Sequence, residues 1–408
     1  MKCRHCGTEL VKTFIDLGNA PPSNAYLNND DLNKPEKRYP LRVMVCEQCW
    51  LVQTEDFVGV SEMFSAEYAY FSSFSKSWVA HARKYVDNMV RRFNLDRDSC
   101  IVEVAANDGY LLQHVKENEI PCYGIEPTYN TAQAAREKGI EIIEVFFGVN
   151  NAEKLVEQGR QADLIVANNV LAHVPDINDF VKGFSILLKP DGVATFEFPH
   201  LLNLVDKNQF DTIYHEHYSY LSLTTVRKIF ETNGLSVFDV EELPTHGGSL
   251  RIYAQRLDAG QYPVNAAVAT LQEKEDLAGM SAVAFYQGLQ NKAEKIKADF
   301  LSFLLDTKRL GKRVAAYGAA AKGNTLMNYA GVRSDLISYV VDKNPAKQGK
   351  YMPGSRVPIV SENYLETEKP DYIVILPWNL KREVMTQLEY IREWGGQFVV
   401  TVPELEVL

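Results

Sequence analysis

Residues 100–115, CIVEVAANDGYLLQHV, combine a short apolar strand, a tight turn and the start of a helix. Ile and Val fill the strand, and the small and polar residues of AANDG are typical of a turn between two elements. The chain then repeats this alternation, and further strands are predicted at CYGIEPT, IEIIEVFFG, ADLIVANNVLAHV and GVATFEFP, with helical segments between them. Apolar strands that alternate with helices indicate a parallel, doubly wound sheet, and therefore an α/β fold.

The chain has 408 residues, more than a single hydrophobic core normally holds, so several domains are expected. A second strand–turn–helix pattern begins at KRVAAYGAAAKGNT and continues through ISYVVDKNP and PDYIVILPWNL. We therefore predict two Rossmann-like units, with a small turn-rich domain before them and helices between them. The predicted boundaries are 1–65 for the small domain, 66–255 and 310–408 for the two Rossmann-like domains, and 256–309 for a helical connector.

The composition excludes several classes of protein. The formal net charge is −10, and Lys and Arg form no long run, which argues against a nucleic-acid or membrane-surface role. No apolar stretch approaches the roughly 18 residues of a membrane-spanning helix, and the first residues, MKCRHC, do not resemble a signal peptide. We expect a cytoplasmic protein, and a monomer.

Two C-x-x-C pairs lie in the small first domain, which buries too little to fold without a staple. Two such knuckles together present four thiolates to one Zn²⁺ ion, so we predict a structural zinc site with the ligands Cys3, Cys6, Cys46 and Cys49. Two disulfides or redox-active pairs are the alternatives, and a cytosolic setting disfavours disulfides. His5 lies inside the first knuckle and is expected to point away. Cys100 and Cys122 are expected to be small core residues.

The first strand–turn–helix is a candidate cofactor site because small turn residues let a ligand approach the backbone at a helix N-terminus. Glu126, at the end of the second strand, is positioned to accept hydrogen bonds from ribose hydroxyls. Alanines replace the glycines that a pyrophosphate needs, so a cofactor with a ribose but no phosphate is expected, namely S-adenosylmethionine. A vestigial site is the alternative. The predicted cofactor-binding residues are Glu103, Ala105, Asn107, Asp108, Gly109, Glu126, Pro127 and Asn168.

The stretch IYHEHYSYLS, residues 213–222, concentrates His215, Glu216 and His217 after the predicted fifth strand. Two histidines two apart could share a metal, but no further ligand lies nearby in sequence. Buried structural histidines are the second interpretation. Acid–base chemistry is the third, since histidine titrates near neutrality and a neighbouring carboxylate can tune it. The position near the carboxyl edge of the sheet, where a methyl donor would lie, favours proton transfer.

Several motifs together resemble one family over essentially the whole chain. They are the paired C-x-x-C knuckles with DLGNAPPSNAYL, the NDG turn, YHEHYSYLS, HGGSLR at 246–251 and the C-terminal YGAAAKGNT. The chain resembles the nucleotide-sugar C-methyltransferases, which methylate carbon 3 of a dTDP-4-keto-6-deoxysugar. The family usually has glycine where this chain has Ala105. The resemblance implies that a base removes the proton beside the ketone and that the resulting enolate is methylated at carbon.

The resemblance also implies roles for individual residues. The base falls on His217, with Glu216 and Tyr214 beside it. The donor to the ketone oxygen is expected from His173 or from a tyrosine in EYAYFSSFS, namely Tyr68 or Tyr70. His215 is expected to give packing or indirect support. The substrate-binding residues implied are His246, Gly247, Ser249 and Arg251 of HGGSLR, and Lys322 and Asn324 of the C-terminal turn.

The C-terminal turn GAAAKGNT allows two other interpretations. Small residues, Lys322 and a helix N-terminus suit a phosphate, and Asp342 follows about twenty residues later at a ribose position. By itself this pattern predicts NAD, so an NAD-dependent nucleotide-sugar oxidoreductase or epimerase is the second hypothesis. Two further hypotheses are a C-terminal domain that only supports the fold and a zinc-bearing binding protein. In the resembled family the domain holds the nucleotide sugar, and dTDP- and GDP-linked sugars both stay open.

Overall fold

The computed structural model describes residues 1–57 and 71–408, which contain three β-sheets. In chain order the strands are β1 (Lys12–Ala20), β2 (Tyr39–Val45), β3 (Val52–Thr54), β4 (Ile101–Val104), β5 (Cys122–Ile125), β6 (Ile142–Ile143), β7 (Ala162–Asn168), β8 (Leu188–Pro199), β9 (Ser219–Tyr220), β10 (Leu235–Leu243), β11 (Ser249–Arg256), β12 (Val314–Tyr317), β13 (Val340–Val341), β14 (Ile359–Val360), β15 (Tyr372–Ile375), β16 (Gln397–Val400) and β17 (Glu406–Val407).

Most α-helices lie between strands of the two larger sheets or in the segment that joins them. They span Lys76–Phe93, Leu112–Glu117, Tyr129–Glu137, Val149–Glu157, Ile177–Leu187, Leu201–Asp206, Leu223–Thr232, Ala266–Leu277, Leu289–Arg309, Ala321–Ala330, Tyr364–Glu368 and Lys381–Gln387. Within the described ranges, no helix is both long and apolar enough to cross a bilayer.

The N-terminal sheet has four strands in the order β1-β2-β3-β9, and all its pairs are antiparallel. Its fourth strand, β9, comes from the middle of the chain and pairs with β3 through Val52–Tyr220 and Gln53–Ser219. The three N-terminal strands alone bury little apolar surface, and β9 extends their sheet by a fourth strand. The N-terminal part is thereby joined to the segment that carries YHEHYSYLS.

The central sheet has seven strands in the order β10-β11-β8-β7-β4-β5-β6. Strands β4 to β8 are parallel to one another, and β11 is antiparallel between β8 and β10. Apolar faces of the flanking helices pack on both sides, with Phe184, Phe196 and Phe230 fully buried. The sheet grows in opposite directions from β4, through β5 on one side and β7 on the other. Ligands bind at the carboxyl ends of the strands at such a switch point.

The C-terminal sheet repeats this arrangement in the order β14-β13-β12-β15-β16-β17, with only β17 antiparallel. The predicted α/β fold class, with a second Rossmann-like unit after the first, is confirmed. The long helix Leu289–Arg309 lies between the sheets and buries Ile296 and Phe300 in one core with Ile15 of β1 and Val314 of β12. The N-terminal and C-terminal sheets therefore share a hydrophobic core.

Candidate active site

A cavity of about 370 Å³ lies at the carboxyl edge of the central sheet, where β4 and β7 end. Its walls are formed by residues from the N-terminal part, the central unit and the C-terminal unit. Asn24 belongs to the N-terminal part and Lys347 to the C-terminal unit. This volume is within the range of small-molecule pockets. The predicted site residues that line the cavity are Ala105, Asn107, Glu126, Pro127, Asn168, His173, Tyr214, His217, His246 and Lys322.

The turn after β4 is closely packed below and open to the cavity above. Ala105 and Asn107 hold left-handed conformations, with φ of 59° and 50°. Ala106 between them is buried against Gly124 of β5, where an added Cβ would lie 2.6 Å from that of Ala106. At Gly109, which has φ 74°, an added Cβ would lie 2.4 Å from Cδ1 of Ile140. Close packing therefore requires glycine at Gly109 of the turn and at Gly124 of the neighbouring strand β5, whereas the tip of the turn accommodates alanine.

Glu126 is held by the same turn and lines the cavity. Its Oε2 accepts the backbone N–H of Asn107 at 2.9 Å, and its Oε1 accepts that of Thr128 at 2.9 Å. Burial raises the pKa of this carboxyl group, and the two N–H donors oppose the rise. Each oxygen keeps further acceptor capacity. The carboxylate is thus fixed in position and able to accept ribose hydroxyls.

Asn168 at the end of β7 is a buried polar side chain that calls for a ligand. It is 8% exposed, and within the described part of the chain neither of its amide atoms has a hydrogen-bond partner. Glu103 and Asp108 do not line the cavity. Glu103 lies on β4, where burial raises the pKa of its carboxyl group well above the ordinary value and the hydroxyl group of Tyr110 opposes the rise. Asp108 accepts the backbone N–H of Ser73 at 3.2 Å.

His217 is buried, and its geometry suits a base. Its Nδ1 lies 2.8 Å from the carbonyl oxygen of Thr212, which can only accept, so Nδ1 carries the proton. In a neutral imidazole the lone pair is then on Nε2. Burial and the nearby His173 lower the pKa of His217 well below its usual value. The ring therefore stays neutral at pH 7 beside the cavity that it lines.

The rings of Tyr214, His173 and Tyr220 lie around His217, and His246 lines the same cavity. The centroid of Tyr214 is 4.0 Å and that of His173 is 4.6 Å from the centroid of His217. His173 donates its Nδ1–H to the carbonyl of Glu216 at 2.8 Å, and burial lowers its pKa to about 4. His246, held at φ 53°, has a pKa lowered to about 4 by burial and by nearby positive charge. The cavity thus contains neutral imidazoles.

The other two members of the HEH triplet face the N-terminal part of the chain. Glu216 does not line the cavity. Its Oε1 accepts the backbone N–H and the side-chain amide of Asn24, each at 3.2 Å, and Asn24 does line the cavity. His215 donates its Nε2–H to the carbonyl of Pro40 at 3.2 Å, and its ring packs edge-on against Tyr39. His215 therefore anchors the segment to β2.

Lys322 begins the C-terminal wall of the cavity. Its Nζ donates to Oδ1 of Asn379 at 2.6 Å and lies 4.4 Å from the ring centroid of Trp378. Burial lowers its pKa to about 8, and the charge of Asp211 opposes the shift. Lys347 lines the same wall. Two lysines on one wall of a pocket in an acidic protein suit an anionic part of a ligand.

Gly247 and Asn324 connect domains and do not line the cavity. An added Cβ at Gly247, which has φ 92°, would lie 2.5 Å from the ring of Trp378. The HGGSLR turn therefore docks against the C-terminal unit through a residue without a side chain. Asn324 donates its amide to the carbonyl of Ser23 at 2.6 Å, which ties the helix Ala321–Ala330 to the N-terminal part.

Ser249 and Arg251 belong to the interior of the central sheet. Arg251 donates to Oε2 of Glu197 at 2.7 Å, and His81 donates its Nε2–H to the same carboxylate oxygen at 2.9 Å. These partners hold the pKa of Glu197 at about 2 despite its burial. Ser249 donates its hydroxyl to the carbonyl of Thr245 at 2.9 Å. Neither side chain lines the cavity, and the charge of Arg251 is matched inside the fold.

The four knuckle cysteines form one cluster: Cys3, Cys6, Cys46 and Cys49. Their sulfur atoms all lie within 4.8 Å of one another, and the closest pairs are 3.5 Å apart. Four thiolates around a tetrahedral Zn²⁺ lie about 3.8 Å apart, whereas a disulfide is about 2 Å long. The donor set therefore fits zinc. His5 points away to Oδ1 of Asn178 at 2.9 Å, and all six cysteines are free thiols.

Two predicted residues have no described position, and some residues of the cavity were not predicted. Tyr68 and Tyr70 lie outside the described residues. Asn24 and Lys347 line the cavity but were not predicted, because each follows a motif in another domain. PPSNAYL and DKNPAK were visible as motifs. Nothing in the sequence indicated which face of each motif meets the central sheet.

Comparison with known proteins identifies the family. Residues 3–64 match a zinc binding domain, residues 78–240 a methyltransferase domain and residues 244–403 a C-methyltransferase C-terminal domain. Over 407 residues the chain is 34% identical to the C-methyltransferase NovU of Streptomyces niveus, covering 100% of this chain and 96% of that protein. The chain belongs to the C-methyltransferase family. This C-methyltransferase uses S-adenosylmethionine and carries a zinc-binding domain, and both predictions are confirmed.

Solved structures overlap with about half of this C-methyltransferase. Magnesium protoporphyrin IX methyltransferase from Synechocystis, with bound S-adenosylmethionine, is 16% identical with a TM-score of 0.34, covering 50% of this chain and 86% of that one. The PH0226 protein from Pyrococcus horikoshii is 13% identical with a TM-score of 0.39, covering 46% of this chain and 95% of that one.

Proposed function

We propose that this C-methyltransferase methylates carbon 3 of a nucleotide-linked 4-keto-6-deoxysugar, with His217 as the base. The observation that carries the proposal is the tautomer of His217, whose Nδ1–H is donated to Thr212 while the ring lines a cavity shared with the cofactor turn and with Lys322. The sugar and the carbon come from the resemblance of YHEHYSYLS and HGGSLR to the nucleotide-sugar C-methyltransferases.

The cofactor would be held by the central sheet. When bound, S-adenosylmethionine supplies an electrophilic methyl group. Glu126 would accept the ribose hydroxyls, since its oxygens are already fixed by Asn107 and Thr128. Ala105 and Pro127 would line the site, and the two unpartnered amide atoms of Asn168 would bind the polar amino-acid end.

His217 would remove the proton beside the ketone. That proton is acidified by the carbonyl group, and a neutral imidazole with a free Nε2 lone pair can accept it. The imidazolium that forms is stabilised by the hydrogen bond from Nδ1–H to Thr212. Proton removal leaves an enolate, and its carbon is the nucleophile for the methyl group. His173 and Tyr214, whose rings border that of His217, are the candidate donors to the enolate oxygen.

The C-terminal wall would hold the diphosphate of the nucleotide. Lys322 and Lys347 both line it, and charge-assisted hydrogen bonds to phosphate are among the strong ones. The buried Lys322, with a pKa lowered to about 8, would be restored to its charged form by an adjacent anion. Gly247 and Asn324, predicted to touch substrate, are proposed instead to hold the domains in place around the cavity. Ser249 and Arg251, also predicted to touch substrate, are proposed to stabilise the central unit from within.

Zinc would act as a staple of the N-terminal part, through the four knuckle thiolates. All four coordination positions are supplied by protein, so none is left for catalysis. A monomer in the cytoplasm, also expected from the sequence, stays a prediction.

The test is turnover with S-adenosylmethionine and a panel of 4-keto nucleotide sugars. The panel varies the nucleotide (dTDP or GDP) and the group at carbon 3 (hydroxyl or amino), and NMR locates the new methyl group. We expect a methyl group on carbon 3 of at least one member. A methyl group on carbon 5, or on oxygen or nitrogen, would contradict the regiochemistry. No product from any member, while S-adenosylhomocysteine binds, would refute the substrate class.

Binding measurements test the NAD-dependent alternative. Calorimetry should detect binding of S-adenosylhomocysteine and no binding of NAD. Binding of NAD, together with redox turnover of a nucleotide sugar, would favour the oxidoreductase.

A further inference from the structure

The backbone around His217 is held by the N-terminal sheet. Thr54, the last residue of β3, donates its hydroxyl to the carbonyl of His217 at 2.6 Å and its backbone N–H to the carbonyl of Tyr218 at 3.1 Å. The next residues pair with β3 as strand β9. The proposed base is therefore carried on the edge of the zinc-bearing sheet, while its ring projects into the cavity of the central one.

Arg4 joins the same two regions from inside the first knuckle. Its Nη2 donates to the carbonyl of Thr54 at 2.8 Å, and its Nη1 donates to the carbonyl of Pro175 at 3.0 Å. The guanidinium carbon lies 5.1 Å from the ring centroid of Tyr218. The side chain is only 5% exposed. Pro175 lines the cavity two residues after His173, so one arginine contacts both walls beside the base.

The thiol cluster is bonded directly to this arrangement. Gln53 donates its side-chain amide to the sulfur of Cys3 at 3.2 Å and accepts the backbone N–H of Arg4 at 2.9 Å. Asn178 donates to the carbonyl of His5 at 2.9 Å, which fixes the other end of the cavity loop to the knuckle. The knuckle is therefore connected to His217 through two adjacent residues of β3: Gln53 is hydrogen-bonded to the knuckle, and Thr54 is hydrogen-bonded to His217.

We propose that Arg4 and Thr54 are positioning residues through which the zinc knuckle orients the base. The inference rests on the proposed function only for the base role of His217. Proton transfer requires the base within hydrogen-bond reach of the proton, and a displacement of about 1 Å can cost about 100-fold in rate. The hydrogen bond to Thr212 fixes the ring, and the hydrogen bond from Thr54 fixes the backbone. The knuckle thus has a role in catalysis in addition to stapling the fold.

The test replaces the hydroxyl of Thr54 and reads out the base directly. Thr54→Val keeps the shape and removes the donor, and Thr54→Ser keeps the donor. Arg4→Met removes the two carbonyl contacts together with the ion pair between Arg4 and Asp56. The matched control is Thr13→Val on β1 of the same sheet, where the hydroxyl contacts only the sulfur of Met44. NMR of protein labelled with ¹⁵N-histidine, with S-adenosylhomocysteine bound, reports the tautomer of His217 without any sugar substrate, and metal analysis reports zinc content.

We expect the single Nδ1–H tautomer in the unaltered protein, in Thr54→Ser and in Thr13→Val, and a mixture of tautomers in Thr54→Val and Arg4→Met, with zinc content unchanged. With an active sugar substrate, kcat should fall about 10- to 100-fold in Thr54→Val at similar KM.

An unchanged tautomer in Thr54→Val would overturn the proposal, and so would an equal loss in Thr54→Ser, because the hydroxyl would then not be the cause. If no sugar is methylated by the unaltered protein, the proposed function fails, whereas the NMR result still decides this inference.

Discussion

Each of the two Rossmann-like units contains a strand–turn–helix and an acidic residue after its second strand, but the two turns have different surroundings. In the central unit, Glu126 accepts the backbone N–H of Asn107 at 2.9 Å. In the C-terminal unit, Asp342 accepts the backbone N–H of Ala319 at 2.7 Å. Each carboxylate thus holds the turn that follows the first strand, β4 or β12.

The difference lies in what covers each turn. The central turn and Glu126 line the cavity. Over the C-terminal turn, the carbonyl of Ala319 accepts the hydroxyl of Tyr26 and the ammonium group of Lys347, and Pro377 occupies the space beside Gly318. The Asp342 carboxylate also accepts the backbone N–H of a neighbour, at 2.8 Å. Protein groups thus cover Gly318 and Ala319 of this turn, whereas the helix start at Ala320–Lys322 lines the cavity.

The same motif therefore lines the cavity in the central unit and also forms a domain interface in the C-terminal unit. The C-terminal unit offers the cavity its helix start and two lysines. It therefore suits the anionic end of a substrate better than a second nucleotide cofactor.

The largest effect is expected when the two acidic residues are replaced in turn. Glu126→Gln should weaken binding of S-adenosylhomocysteine about 10- to 100-fold, because hydrogen bonds to a charged group are each worth about 1.5 to 3 kcal/mol. Asp342→Asn should leave that affinity unchanged. Calorimetry measures both. Equal weakening by the two changes, or weakening by Asp342→Asn alone, would show that the cofactor is not held by the central turn.

A smaller effect is expected at the C-terminal wall. Lys322→Met should lower kcat/KM about 10-fold through KM, by removing a charge-assisted contact to the diphosphate. In the unaltered enzyme, kcat/KM should decline above pH 8, because Lys322, with a pKa of about 8, loses its proton there. The decline on the acid side should begin below pH 6.5, because the pKa of His217 is lowered by burial.

Lys381→Met is the control for that experiment. This lysine pairs with Glu406 in the same domain, outside the cavity, so its loss should not change the pH profile. If the alkaline limb persists in Lys322→Met, another group is responsible for it.

The smallest effect is expected at the contact between the two units. Gly247→Ala places a methyl group 2.5 Å from the Trp378 ring, and overpacking of this kind costs about 1 to 3 kcal/mol. Gly279→Ala is the control, because Gly279 shares the positive φ but has open space around it. The midpoint of thermal unfolding should fall further for Gly247→Ala. Equal midpoints would mean that the close approach of Trp378 does not stabilise the interface.

Much of the fold could be predicted from the sequence because local patterns carry it. Apolar strands that alternate with helices predicted both parallel sheets, and knuckle spacing predicted the thiol cluster. Register and pairing with distant segments could not be predicted. Strand β9 joins the N-terminal sheet by pairing with β3, more than 160 residues earlier in the chain.

For the candidate site, the sequence predicted residue types but not their partners. His217 and Glu126 stay predictions that the geometry suits. The family resemblance of HGGSLR implied that Arg251 binds substrate, but Glu197, 54 residues away, already accepts its hydrogen bond. His215 was expected to give packing or indirect support, but its hydrogen bond to the carbonyl of Pro40 could not be inferred from a motif. Which charges are matched internally depends on tertiary contacts.

Solvent exchange at the carbon beside the ketone tests the base directly. The enzyme is incubated in D₂O with a 4-keto nucleotide sugar and S-adenosylhomocysteine in place of the methyl donor, and NMR follows the loss of the carbon-3 proton. The unaltered enzyme should exchange this proton, and His217→Gln should do so about 10² to 10⁴ times more slowly while still binding S-adenosylhomocysteine. Exchange at the same rate in His217→Gln would contradict the assignment of His217 as the base.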